Sequence, residues 1–229
     1  MSELLSVNPF SAEVIQRYAC HSESEIEQIL ENSLTAAVSW KRRSQKERLF
    51  YLQALKSNLL LHRADSAALI VAEMGKLYRE ALAEIDKSIS LCDYYLQNGL
   101  EVLHGKRLPS DVKNSGVFYE PMGVVLGIMP WNFPNWQAIR FLVPALMAGN
   151  VVLLKHAGNV SGCSLLLERI FQQSFPKGCM HSILLPGADM ERLIQHPAIA
   201  AISLTGSEQV GRKVASLSGA ALKPVVLEL

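Results

Sequence analysis

Apolar positions recur at helical spacing from residue 22 to residue 103, then give way to short continuous runs. Ser22-Glu-Ser-Glu25 carries a capping-box pattern, and Ile26, Ile29, Leu30, Leu34, Ala37 and Val38 follow it on one stripe. The same period predicts amphipathic helices over 45–61, 64–74 and 78–101. Between Gly105 and Pro121 the composition turns to Pro, Ser, Asp, Asn and Gly before Val117-Phe-Tyr119, which predicts a loop and strand leaving the helical layer. From Gly123 onward, apolar runs at 124–129, 150–154, 181–185, 200–204 and 224–227 are separated by helix-like stretches at 135–147, 161–174, 189–195 and 207–217. Strands alternating with helices predict an α/β fold whose parallel sheet has right-handed crossovers, a nucleotide-binding layout. The expected organisation is a helical part over 1–104, a linker and β segment over 105–122, and a Rossmann-like sheet over 123–229.

Composition narrows the class. Of the 229 residues, 49% are apolar and 19% charged, which excludes a disordered chain. The formal charge is +1 and the longest basic cluster is Lys41-Arg-Arg43, better read as the solvated end of a helix, so no nucleic-acid partner is expected. Cys20, Cys92, Cys163 and Cys179 are irregularly spaced with no Cys-x-x-Cys pair, so reduced cytoplasmic thiols are expected rather than a disulfide framework or a metal site. The most apolar stretch, Phe141 to Leu154, is interrupted by Pro144, Gly149 and Asn150, and no secretory leader opens the chain; no membrane association is expected.

Candidate chemistry gathers where apolar runs end. Pro130-Trp-Asn-Phe-Pro134 follows the run Gly123–Met129, so Asn132 falls just past the carboxyl end of a buried strand, between two prolines. Open α/β sheets bind ligands at that edge, and a rigid side-chain amide there suits donation to an oxyanion. Ser203-Leu-Thr-Gly-Ser-Glu-Gln-Val-Gly211 follows a strand and opens a helix, where Gly206 would let backbone amides approach a pyrophosphate. Its glycine spacing is not the Gly-x-Gly-x-x-Gly fingerprint, and an ordinary Ser207 N-cap is the competing reading. Lys155 closes a strand, as solvated lysines often do. Arg140 stands between Ile139 and Phe141, either as a surface residue or as a bidentate fork for a carboxylate. Glu228 ends the last run, either as a salt-bridged acid or as a general base.

Pro130 to Pro134, Leu154-Lys155, Leu204-Thr-Gly-Ser207 and Leu227-Glu-Leu229 occur in the order and near the spacing of the signatures of the NAD(P)-dependent aldehyde dehydrogenases, which this chain resembles along its whole length. The resemblance covers about the first half of a family subunit. Ile128–Gln137 and Leu154–Val160 most resemble the bacterial succinate-semialdehyde dehydrogenases.

The resemblance implies Asn132 and Glu228 as catalytic residues, the first holding an oxyanion and the second activating water. It implies cofactor contacts at Trp131, Asn132, Lys155, Gly158, Gly206, Ser207, Val210 and Leu229. Arg140 would pair with the substrate carboxylate. NAD or NADP is implied as cofactor. Gly158 stands where many relatives carry glutamate or serine, so it offers neither a carboxylate to reject a 2′-phosphate nor a hydroxyl to accept one. The family's nucleophilic cysteine and catalytic domain would lie beyond Leu229, so turnover by this chain alone is not expected. A homo-oligomer is implied at full length, with the 105–122 segment in an assembly hairpin. A non-catalytic nucleotide-binding module is the alternative. An acyl-phosphate or acyl-CoA reductase on the same scaffold would have no need of a water-activating Glu228.

Overall fold

The structure is a computed structural model that describes residues 2–111 and 115–229. It opens on an antiparallel hairpin, β1 (Glu3–Val7) and β2 (Val14–Ala19), which the helical reading of residues 1–104 did not include. Most of the hairpin's side chains are exposed, with only Ser6 of β1 fully buried, so little periodic apolar signal marks it. Asn8 builds its turn, its Oδ1 accepting from the N–H groups of Phe10 at 2.9 Å and Ser11 at 3.3 Å.

Four helices follow: α1 (Glu23–Trp40), α2 (Gln45–Leu61), α3 (Arg63–Met74) and α4 (Tyr78–Val102). The capping box at Ser22 forms as its pattern predicts, with Ser22 Oγ accepting from Glu25 N–H and Glu25 accepting from Ser22 N–H. Gly75 adopts φ 74°, the left-handed conformation that ends α3 without the penalty of a side chain. A short pair, β3 (Lys106–Arg107) and β4 (Gly116–Val117), lies within the expected 105–122 segment, whose residues 112–114 fall outside the described residues.

The remainder alternates as its pattern requires: β5 (Val124–Met129), α5 (Trp136–Met147), β6 (Val151–His156), α6 (Ser161–Gln172), β7 (Met180–Ser182), α7 (Met190–Gln195), β8 (Ile199–Thr205), α8 (Glu208–Ala220) and β9 (Val225–Glu228). The five strands form one parallel sheet in the order β7-β6-β5-β8-β9. β5 and β6 are buried on both faces, which is why they read as continuous apolar runs. The run predicted as a strand over 181–185 is strand only over 180–182; Ile183 makes one further hydrogen bond to the Leu154 carbonyl of β6, and Ile183, Leu184 and Leu185 are buried.

One core joins the helical layer to the sheet. Leu30, Trp40, Leu52, Leu55 and Leu59 from α1 and α2 share a cluster with Val124, Leu126, Val152 and Leu154. Each fully buried leucine contributes about 1.5–3 kcal/mol relative to an exposed one. Polar pins reinforce the seam: Trp40 Nε1 donates to the Leu146 carbonyl at 3.0 Å, and Arg48 Nη1 to that of Met147 at 3.1 Å. Where α5 crosses β5, a Cβ on Gly127 would stand 2.3 Å from the Phe141 ring, so only glycine permits this approach.

Candidate functional site

The strand order reverses between β5 and β8, and the loops leaving those two strands flank the switch point where open α/β sheets take ligands. Trp131, Asn132 and Phe133 are exposed after β5. Three contacts fix their backbone from below. Lys76 Nζ donates to the Asn132 carbonyl at 3.0 Å and lies 3.7 Å from the centre of the Phe133 ring. His156, buried at the end of β6, hydrogen-bonds the Pro134 carbonyl at 2.7 Å through Nε2, which must be the protonated nitrogen because a carbonyl only accepts. Burial lowers the His156 pKa to about 4, so the ring is neutral at pH 7.

Helix amino termini at this edge carry partial positive charge and free N–H groups. Two are already occupied. Glu84, buried on α4, accepts from Asn135 N–H at 2.8 Å and Trp136 N–H at 3.0 Å, capping α5. Glu73, buried on α3, accepts from Gly162 N–H at 2.9 Å and Cys163 N–H at 2.8 Å, capping α6. These caps have no counterpart at α8 among the described residues. Its N-cap is its own Ser207 hydroxyl, 3.5 Å from Val210 N, and residues 207–210 are exposed. α8 therefore presents the open helix end at the switch point, and Gly206 and Ser207 form its lip.

Glu73, Glu84 and Lys76 were not singled out as site residues from sequence. A signal existed: Glu84 sits between Ala81 and Ile85, and Glu73 three residues after Ile70, each an acid at core spacing.

Lys155, one residue before the end of β6, is half-buried, and burial lowers its pKa, with the Cys20 sulfur opposing the shift. Gly158 begins a short 3-10 turn over Gly158–Val160. A Cβ there would meet Leu4 Cδ2 of β1 at 3.1 Å, so the hairpin walls this corner. Val210 is exposed on α8. Leu229 packs against Gly211, where a Cβ would come within 2.4 Å of Leu229 Cδ2.

On the other side of β5, Arg140 and Glu228 meet. Arg140 Nη1 donates to Glu228 Oε1 at 3.0 Å, and Nη2 to Gln137 Oε1 at 2.8 Å. Thr205 Oγ1 donates to Glu228 Oε2 at 3.1 Å. These groups line a cavity of about 240 Å³ with Met129 and Val226. A larger groove, about 850 Å³, lies between α1 and α7 and includes none of the candidate catalytic or cofactor-binding residues. All four cysteines are buried. Burial pushes the thiols of Cys92 and Cys179 up to about 12, and burial with the Glu73 carboxylate raises that of Cys163. Such thiols are inert, since the thiolate is the nucleophile.

Strand order, open helix end and flanking loops define a Rossmann-like α/β layer packed under helices. The sequence profile of the aldehyde dehydrogenase family matches residues 2–229, and the chain belongs to that family. It is 39% identical over 226 residues to succinate-semialdehyde dehydrogenase [NADP(+)] of Deinococcus radiodurans, covering 98% of this chain and 47% of that protein. It is 37% identical to the probable succinate-semialdehyde dehydrogenase [NADP(+)] of Synechocystis, covering 99% of this chain and 50% of that one. Among solved structures, Gox0499 superposes with a TM-score of 0.96 at 34% identity, over all of this chain and 51% of its own. The succinic semialdehyde dehydrogenase of Streptococcus pyogenes, solved with NADP+, superposes with a TM-score of 0.94 at 26% identity, over 99% of this chain and 50% of its own. The chain spans about half the length of the curated relatives it matches.

Proposed function

We propose that this chain is the cofactor-binding part of an NAD(P)-dependent aldehyde dehydrogenase that oxidises succinate semialdehyde to succinate. The observation that carries the reading is the Arg140 guanidinium, which already grips the Glu228 carboxylate at the sheet edge that also bears the Asn132 loop; a substrate carboxylate would displace Glu228 from that fork and free it to act as a base. A guanidinium fork matches the carboxylate at the far end of a four-carbon semialdehyde. When bound, the dinucleotide accepts the hydride from the aldehyde carbon. Gly206, Ser207 and the α8 amino terminus hold its pyrophosphate, and Lys155 its adenosine ribose. Trp131 would flank the nicotinamide end, Val210 would pack near the adenine, and Leu229, packed on Gly211 of α8, would border the cofactor site. The open α8 end and the side-chain-free Gly158 corner, walled on one side by Leu4, fit such a ligand. NADP is the favoured form, because Gly158 sets no carboxylate against a 2′-phosphate, in keeping with the NADP named for the relatives.

In this reading a cysteine thiolate adds to the aldehyde carbon, and the Asn132 side-chain amide donates to the oxyanion formed. After hydride departure leaves a thioester, Glu228 removes a proton from the water that attacks it, releasing the acid and the thiol. The inert character of Cys92, Cys163 and Cys179 supports a nucleophile outside residues 1–229. We assign residues 1–104 to the helical part with its amino-terminal hairpin, 105–122 to an assembly segment and 123–229 to the dinucleotide-binding sheet. The exposed Phe118 and Tyr119 after β4 support homo-oligomeric assembly through that segment. A cytoplasmic location is assigned on the free thiols.

Calorimetric titration of the 229-residue chain with NADP and NAD tests the reading. Saturable binding without turnover of succinate semialdehyde is expected. No binding would overturn the dinucleotide assignment, and NADPH or NADH formation would overturn that of the nucleophile.

A further inference from the structure

We propose that Lys76 and Glu84 are positioning residues that set the Asn132 loop from beneath. The inference rests on the reading of Asn132 as the oxyanion donor. Pro130 and Pro134 have no N–H and residues 131–133 are exposed; the carbonyl side of the loop is tied at Phe133 by Gln137 N–H and at Pro134 by His156, which leaves the Asn132 carbonyl to be held from elsewhere. At Asn132 that hold comes from the helical layer. Gly75 turns the chain out of α3 so that Lys76 points under the loop. The Lys76 ammonium, buried with Glu84, donates to Glu84 Oε2 at 2.5 Å and to the Asn132 carbonyl at 3.0 Å, and it faces the Phe133 ring.

Glu84 completes the bracket. Its Oε2 holds Lys76, while Oε1 takes the N–H groups of Asn135 and Trp136. One ion pair therefore grips the backbone on both sides of residues 133 and 134, at the Asn132 carbonyl and at the start of α5. Apolar residues of similar volume would fill the space without the cost of burying two charges. They could not hold a carbonyl and two amides at once. Holding a functional side chain by locking the backbone and neighbours that carry it is how a supporting shell preorganises a site.

The test is backbone ¹⁵N relaxation on the 229-residue chain, beside its urea midpoint. In the wild type, the N–H groups of Asn132 and Phe133 are expected in the rigid range, with order parameters of about 0.85 despite their exposure. In K76M/E84Q both partners become neutral, and the introduced side-chain amide keeps an oxygen for the N–H groups at the start of α5. Order at residues 131–133 is expected to fall below about 0.6 while α5 and β5 stay ordered as in the wild type, with a midpoint lowered by no more than one unsatisfied amide costs. Unchanged loop order in the variant would overturn the proposal. So would values below about 0.6 in the wild type, a result that needs no variant to fold. Loss of order throughout α5 with a lowered midpoint would show a merely structural pair and overturn it as well. Neither readout involves a dinucleotide or an aldehyde. Failure here leaves the catalytic reading of Asn132 standing, and a chain that binds no dinucleotide leaves the bracket standing.

Discussion

Arg140 on α5 and Glu228 at the end of β9 are direct partners, with Arg140 Nη1 donating to Glu228 Oε1 at 3.0 Å. Their side chains are 38% and 50% exposed, so solvent screening holds the pair to about 1 kcal/mol or less. R140M is therefore expected to leave urea stability within about 1 kcal/mol of the wild type. The same variant should lose detectable affinity for succinate, used as a carboxylate probe in calorimetry. A stability loss above about 2 kcal/mol, with succinate binding retained, would mean that the arginine is structural.

Ser207 separates folding from binding. Aspartate caps helices about as well as serine, so S207D should unfold at the wild-type urea concentration. Its carboxylate would stand where the pyrophosphate is assigned, and NADP affinity should fall at least about tenfold. Equal affinities for wild type and S207D by calorimetry would move the phosphate away from α8.

Gly158 is expected to govern the choice between NADP and NAD. In G158E the new Cβ meets only the flexible end of Leu4, at 3.1 Å, so a small movement admits it. The added carboxylate should repel a 2′-phosphate and reduce the NADP-to-NAD affinity ratio at least about tenfold. A ratio unchanged in paired titrations would place the 2′ position elsewhere.

Glu73 illustrates what a buried cap is worth. In E73A the Gly162 and Cys163 amides lose their acceptors at the start of α6, away from solvent. Unsatisfied buried donors cost about 1–3 kcal/mol each, so a loss of about 2–6 kcal/mol is expected from urea unfolding. A variant as stable as the wild type would show that water or a neighbour replaces the carboxylate.

His156 makes stability depend on pH. Its folded-state pKa is lowered by burial from 6.5 to about 4. Between those values the unfolded chain binds a proton that the folded chain does not, so stability rises with pH across the window and is lost on acidification. The loss approaches about 3 kcal/mol by pH 4. His21, whose pKa burial also lowers, acts in the same direction, so the informative quantity is a difference. H156Q should show a flatter stability profile than the wild type between pH 6.5 and 4, and superimposable profiles would sink the assignment.

Much of the sheet was legible because burial on both faces leaves a plain mark: Val124–Met129 and Val151–Leu154 are apolar without alternation. The long helices were legible through their caps and period, with boundaries within a few residues of those found. The amino-terminal hairpin was not, because its strands are largely exposed and the Asn8 turn is a local hydrogen-bonding feature rather than a pattern. The site divides in the same way. Asn132, Lys155 and Ser207 follow strands directly and were found by position. Glu73 and Glu84 act on backbone 89 and 51 residues further along, a relationship that no local period encodes. The Arg140–Glu228 pairing was invisible for the same reason, although each residue had been singled out alone.

The approach of Leu4 to Gly158 makes β1 part of the wall beside the corner proposed for the ribose. Whatever is fused ahead of β1 is then a neighbour of that corner, not a remote handle. Affinity tags at the amino terminus should be removed before NADP and NAD are compared, because a tag that shifts Leu4 would mimic a change in cofactor selectivity.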